Sequence, residues 1–133
     1  MARVLIVGAG AAGLMAAGAA VRQGHQVTVL EHTEKPGQKI LVTGKGRCNV
    51  TNNCDIKDFL TNIPGDGRFL YSALNRLSPR DTMQFFESLG LPLKTERGNR
   101  VFPVSDNAND VAGTLARNLE RSGVRHIRES ANH

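Results

Sequence analysis

Val4 to Val7 is an unbroken apolar run that stops at Gly8, the pattern of a strand buried on both faces and central to a parallel sheet. From Ala11 to Gln23 the chain is rich in alanine, free of proline and followed by Gly24. That predicts a helix closed by a C-terminal glycine. Val27 to Leu30 is a second apolar run. Strand, tight turn, helix and strand over residues 1–31 predict a βαβ unit with a right-handed crossover.

Past Glu31 the pattern changes. Over residues 32–67 apolar positions thin out, and Gly37, Gly44, Gly46, Gly65 and Gly67 appear with Pro36 and Pro64, predicting a long, mostly irregular loop. In residues 68–105, Phe69, Leu70, Ala73, Leu74 and Leu77 recur at helical spacing. Ser78 and Pro79 then open a second helix that runs through Phe85 and Phe86 to Gly90. This spacing places Phe69, Tyr71, Phe85 and Phe86 in the core. Leu91–Thr95 and Arg100–Val104 predict a hairpin around Arg97, Gly98 and Asn99, with both arginines solvated. In residues 106–133, Asp106 or Asn107 caps a last helix carrying Val111, Leu115 and Leu119, and a third strand spans Val124 to Arg128 after Gly123.

The expected fold is therefore α/β: a Rossmann-like βαβ unit with a parallel sheet, a long cofactor loop, a helical segment and a small β-hairpin. It amounts to half of a doubly wound domain, completed by further segments or by an oligomeric partner at the exposed sheet edge.

Composition narrows the function classes. The chain has 133 residues, 40% of them hydrophobic, which suits one globular domain. A net charge of +5 raises a nucleic-acid partner, but aromatic content is 5% and no run of five like charges occurs, so none is expected. No apolar stretch nears the roughly 18 residues of a membrane span. Cys48 and Cys54 form no disulfide framework, which points to a cytoplasmic chain. With His25, His32, His126 and His133 they show no ligand spacing, so no metal is expected.

Gly8, Gly10 and Gly13 spell GxGxxG between the first strand and the first helix, and Glu31 ends the second strand 18 residues beyond Gly13. Gly8 permits a tight turn, Gly10 leaves room for a pyrophosphate, and Gly13 lets the helix lie close to the strand. N–H groups of the helix N-terminus, that of Ala12 among them, face the phosphates. Glu31 is placed to accept from the hydroxyls of an adenosine ribose and repels a 2′-phosphate. FAD and NAD share this fingerprint. The long loop, with Lys35, Lys39, Lys45 and Arg47 among its glycines, suits enclosure of a larger cofactor than a simple NAD domain needs, which favours FAD. A solvated basic loop is the plain alternative.

Two other functions stay open. One is a flavin disulfide reductase cycling Cys48 and Cys54, for which their separation by five residues and the poor helix formers Asn49, Thr51, Asn52 and Asn53 are unfavourable. Arg47 beside Cys48 would lower its pKa, whereas a free cysteine is ordinarily a small packed side chain. The other is a catalytically silent dinucleotide-binding module that recruits a partner through its sheet edge. Ser105 and Asp106 read as a helix cap, since no histidine is placed to serve a nucleophile as base.

The stretches "GAGAAGLMAA", "GQKILVTGKGRCNVTN" and "GNRVFPVSDNANDVAGTL", together with Glu31, resemble the N-terminal portion of the BaiN/YhiN-type NAD(P)/FAD-dependent oxidoreductases over essentially the whole chain. The family usually reads Ser-Gly-Gly-Gly-Arg-Cys-Asn where this chain has Thr43 to Asn49. Lys45 replaces a glycine there, and because a lysine at positive φ would be strained, a backbone contact at negative φ is left to it. The resemblance implies non-covalent FAD, reduced by NAD(P)H, with electrons passed to a small organic acceptor, steroid-like or otherwise unsaturated. It assigns Gly8, Gly10 and Gly13 to the pyrophosphate, Glu31 to the ribose, and Lys39 with Gly44, Gly46, Arg47, Cys48 and Asn49 to a loop against the cofactor. It supplies no catalytic residue. Family members are longer and complete the fold with later segments, so the 133-residue chain alone is expected to be inactive.

Overall fold

The computed structural model describes residues 1–132; His133, one of the histidines weighed for metal binding, lies outside the described residues. Its elements are β1 (Arg3–Val7), α1 (Ala11–Arg22), β2 (Gln26–Glu31), β3 (Thr51–Asn52), α2 (Ile56–Thr61), α3 (Tyr71–Arg76), α4 (Pro79–Ser88), β4 (Leu93–Glu96), β5 (Arg100–Pro103), α5 (Ala108–Arg121) and β6 (Arg125–Arg128). Short 3₁₀ segments cover Gln38–Gly46, Gly67–Leu70 and Arg97–Asn99.

β1, α1 and β2 form the expected βαβ unit, with Arg3 opposite Gln26 and Val7 opposite Leu30 in a parallel ladder. α1 ends where Gly24, at φ +83°, donates to Val21 O while His25 donates to Ala20 O. This paired cap satisfies two of the helix's last carbonyls and requires the left-handed residue that glycine supplies. β6 adds parallel to the far side of β2, so the strand order is β1-β2-β6. β2, not β1, is therefore the central strand.

Along β1 the side chains alternate. Val4 and Ile6 pack against the core that also holds Val27, Val29, Leu14, Ala17, Leu115 and Leu119, while Leu5 and Val7 are 61% and 65% exposed. The expectation of burial on both faces is thus corrected. α1 and α5 belong to the core on one face, and the described residues leave the outer side of β1 uncovered. Each fully buried leucine or valine on the covered face contributes about 1.5–3 kcal/mol.

The second sheet is antiparallel, in the order β3-β5-β4. The predicted hairpin is present as β4 and β5, joined through Arg97–Asn99 with Gly98 at φ +76°. The loop 32–67 is less irregular than its composition suggests: it contains the 3₁₀ segment 38–46, the strand β3 paired to β5, and α2 capped by the Asp55 side chain. α4 starts as expected, with Pro79 in its first turn and a reciprocal cap between Ser78 and Asp81.

Two further expectations are corrected. Phe86 is buried and Phe85 half-buried against it, but Phe69 and Tyr71 are 75% and 60% exposed. Their helical spacing is real, yet α2 and α3 contain no buried residue, so this face is not covered by the core. The cap of α5 is Asn107, whose side chain accepts from Asn109 N, while Asp106 is engaged in ion pairs. No helix of the described residues is long and apolar enough to cross a membrane.

Candidate functional site

The turn between β1 and α1 sets the geometry. Gly8 sits at φ +100° and donates its N–H to Leu30 O at 2.8 Å, tying the turn to the end of β2. A Cβ at Gly13 would fall 1.9 Å from Gly8 O, so α1 lies against the turn only because that position is glycine. Gly10 is the opposite case. Its backbone is extended at φ −78°, and an added Cβ would meet nothing within 4 Å. As the N-cap it offers no side-chain hydrogen bond, and the first helical bond runs from Leu14 N to Gly10 O at 2.9 Å. The N–H groups of Ala11, Ala12 and Gly13 have no acceptor among the described residues. The helix therefore presents free donors and a positive dipole end above an open glycine surface, the requirements for holding a phosphate.

Glu31 ends β2 beside this turn. Its Oε1 accepts from Ala9 N at 2.7 Å, and its Oε2 accepts from Thr33 N at 2.8 Å and Thr33 Oγ1 at 2.9 Å. The backbone N–H groups of Thr33 and Ala9, in that order of effect, hold the carboxyl at a pKa of about 2, below its ordinary 4.5. The acid is ionised and fixed in one orientation. These protein donors are an addition to the expected picture of a carboxylate free for ribose hydroxyls: they occupy both lone pairs of Oε2 and one of Oε1, leaving one on Oε1 for a further donor.

Gly37 opens the loop and docks it on the turn, donating to Ala9 O at 2.6 Å, with Ala112 Cβ 3.1 Å from where its own Cβ would lie. The chain then winds through the 3₁₀ segment, with Ile40 buried and Lys39 exposed. At its end Gly44, Lys45 and Gly46 all have positive φ, and Arg47 N and Cys48 N close the turn on Gly44 O and Thr43 O. Lys45 is at φ 57°, not at the negative φ left to it by its side chain. The flanking turn overrides the preference of a single residue.

Arg47 is engaged within the protein. Its guanidinium lies 3.9 Å from the centre of the Phe102 ring, donates to Asp106 Oδ1 at 2.8 Å and pairs with Glu96. Lys94 completes an alternating cluster, 2.7 Å from Asp106 and 3.2 Å from Glu96. Of the basic residues weighed for enclosing a cofactor, Arg47 is thus already paired with two carboxylates of the protein. Asn49, though exposed, likewise bonds within the protein, donating to Thr51 O at 2.9 Å and Val101 O at 3.1 Å. Both side chains mount the loop on the second sheet, while Lys35, Lys39 and Lys45 are exposed.

Cys48 is buried, and desolvation pushes its thiol up, so the expected lowering by Arg47 is also corrected. Cys54 is shifted up as well, first by burial and then by Asp58 and Asp55. Both thiols are free. Sequence reasoning missed Thr33, Glu96, Phe102 and Asp106. Thr33 carried a readable signal, a hydroxyl two residues past a strand-end acid. The other three act on Arg47 across 49 residues or more and carried none.

Comparison with known proteins agrees with this architecture. The HI0933-like protein Rossmann domain family matches residues 2–132. The 3-dehydro-bile acid delta(4,6)-reductase of Clostridium scindens is 41% identical over 127 residues, covering 94% of this chain and 30% of that protein. The ribosomal RNA dihydrouridine synthases of Escherichia coli and Haemophilus influenzae are 31% and 30% identical, covering 90% and 95% of this chain and 29% and 31% of theirs. This chain thus spans about 30% of the length of these curated relatives. The crystal structure of Thermovibrio ammonificans THI4 superposes with a TM-score of 0.60 at 16% identity, over 94% of this chain and 37% of that one, a likeness of fold alone. With the glycine turn, the parallel sheet and the family match in agreement, the chain belongs to the HI0933-like Rossmann-domain family.

Proposed function

We propose that this chain is the FAD-binding portion of a flavin-dependent oxidoreductase that takes electrons from NAD(P)H and passes them to an organic acceptor. The observation that carries the reading is the contrast between Gly13, where a Cβ would strike Gly8 O, and Gly10, where it would meet open space. A merely structural turn has no use for the second glycine, whereas a pyrophosphate lying on the backbone does. The N–H groups of Ala11, Ala12 and Gly13 would hold the phosphates, and Glu31 the adenosine ribose. Gly44 and Gly46 would lie against the remainder of the cofactor, with Lys39 and Lys45 adding positive charge. Arg47, Cys48 and Asn49 support that loop from beneath. When bound, FAD supplies reversible two-electron transfer; the described residues supply binding, orientation and charge.

The name of the Clostridium scindens relative, at 41% identity, supports a small steroid-like acceptor. The names of the two rRNA dihydrouridine synthases make a uridine in RNA the competing one. Either reaction is that of a protein of which this chain spans about 30%. Purified protein incubated with FAD and then freed of unbound flavin by gel filtration should stay yellow, and the colour should bleach with NADH or NADPH if this portion accepts hydride unaided. Protein that takes up no flavin at all would refute the reading.

One observation favours a second role, recruitment of a partner at the sheet edge. The chain exposes 8670 Å², whereas a compact monomer of its 14.4 kDa mass exposes about 6,800 Å². Leu5 and Val7, on the uncovered face of edge strand β1, are part of that excess. Sedimentation equilibrium separates a monomer from a self-associating chain.

A further inference from the structure

A carboxylate that reads a ribose hydroxyl through its one remaining acceptor position must hold one orientation, and a glutamate side chain on its own has several. Three protein donors restrict Glu31, and two of them belong to Thr33. The Thr33 hydroxyl lies between two acceptors, Glu31 Oε2 at 2.9 Å and Lys35 O at 3.0 Å. It has one hydrogen to give, and the charged acceptor is the stronger. His32 Nδ1 is 3.3 Å from the same oxygen, but its side chain is 72% exposed and imposes little restraint. Thr33 Oγ1 is thus the side-chain donor that holds Oε2, while Ala9 N holds Oε1 from the glycine turn.

We infer that Thr33 is a positioning residue for nucleotide recognition: its hydroxyl fixes the Glu31 carboxylate in the orientation that reads the ribose. The inference rests on the dinucleotide reading proposed above and deepens it. Thr33 itself touches the carboxylate, not the nucleotide. Loss of the hydroxyl leaves one backbone donor on each oxygen, Ala9 N on Oε1 and Thr33 N on Oε2, and loosens the orientation they set, so discrimination between ribose and deoxyribose should fall more than overall binding.

The test is calorimetric titration of the 133-residue protein with ADP and with 2′-deoxy-ADP, for wild type, Thr33→Val and Thr33→Ser. Wild type should prefer ADP by about tenfold, the size of one charge-assisted hydrogen bond. Thr33→Val, which keeps the shape and the backbone N–H, should reduce that preference to under about threefold, and Thr33→Ser should restore it. A preference in Thr33→Val equal to wild type, or equal weakening of both nucleotides, would overturn the inference while leaving the dinucleotide reading intact. Failure of wild type to bind either nucleotide would overturn both. Should Thr33→Val not fold, loss of the preference in Thr33→Ser, which keeps the hydroxyl, would by itself contradict the assignment.

Discussion

The backbone N–H of Ala9 donates to the carboxylate of Glu31 at 2.7 Å, so the glycine turn proposed to hold a phosphate and the acid proposed to read a ribose are one hydrogen-bonded unit. Their spacing along the chain is 22 residues, yet the parallel register of β1 and β2 brings them together. An ionised Glu31 therefore stabilises the fold whether or not a nucleotide is bound.

A pH dependence follows. The folded pKa of Glu31 is about 2 against an ordinary 4.5, so its stabilisation is present in full above about pH 4.5 and fades as pH falls toward 2. Glu31→Gln should cost about 2 kcal/mol at pH 7, the scale of hydrogen bonds to a charged group. Urea denaturation of both proteins should show that difference at pH 7 and a much smaller one at pH 3.

The two glycines flanking the N-terminus of α1 should respond in opposite ways. Gly13→Ala drives a Cβ to 1.9 Å from Gly8 O and should destabilise the chain by about 3 kcal/mol or more, or prevent folding. Gly10→Ala meets no atom within 4 Å. It should change stability by less than about 1 kcal/mol while weakening ADP binding at least tenfold. Thermal melts paired with nucleotide titration distinguish the two effects.

Lys45 sits at φ 57° in an exposed turn between Gly44 and Gly46. Glycine adopts that conformation without the Cβ penalty. Lys45→Gly should therefore stabilise the protein by about 1 kcal/mol, less any gain in unfolded-state entropy. An unchanged or lowered denaturation midpoint would show that the lysine side chain contributes more than its backbone costs.

How far the sequence could be read depended on distance along the chain. The βαβ unit was legible because its evidence is local: two apolar runs, an alanine-rich helix and glycines at fixed offsets all lie within residues 1–31. The cap of α4 was legible for the same reason, since Ser78 and Asp81 are three residues apart. β3 was not, because a two-residue strand exists only through its pairing with β5. Phe69 and Tyr71 show that helical spacing marks an apolar face without saying what covers it. The inward aim of Arg47 depends on Glu96, Phe102 and Asp106, which only tertiary folding brings near.

That aim yields another test. Replacing Asp106 with asparagine removes one of the two carboxylates that hold Arg47 and should loosen residues 43–49 from the second sheet. Amide hydrogen exchange of Arg47 and Cys48, whose N–H groups close the loop turn, should accelerate in the variant. Exchange in β1 and β2, on the other sheet, should be unaltered.

The most direct measurement of the central claim is an amide NMR titration of the 133-residue protein with ADP. Binding at the glycine turn predicts saturable shifts concentrated at Gly10, Ala11, Ala12 and Gly13, with Thr33 responding beside Glu31. No shift at these amides at millimolar ADP, or shifts centred elsewhere, would contradict nucleotide binding at this turn.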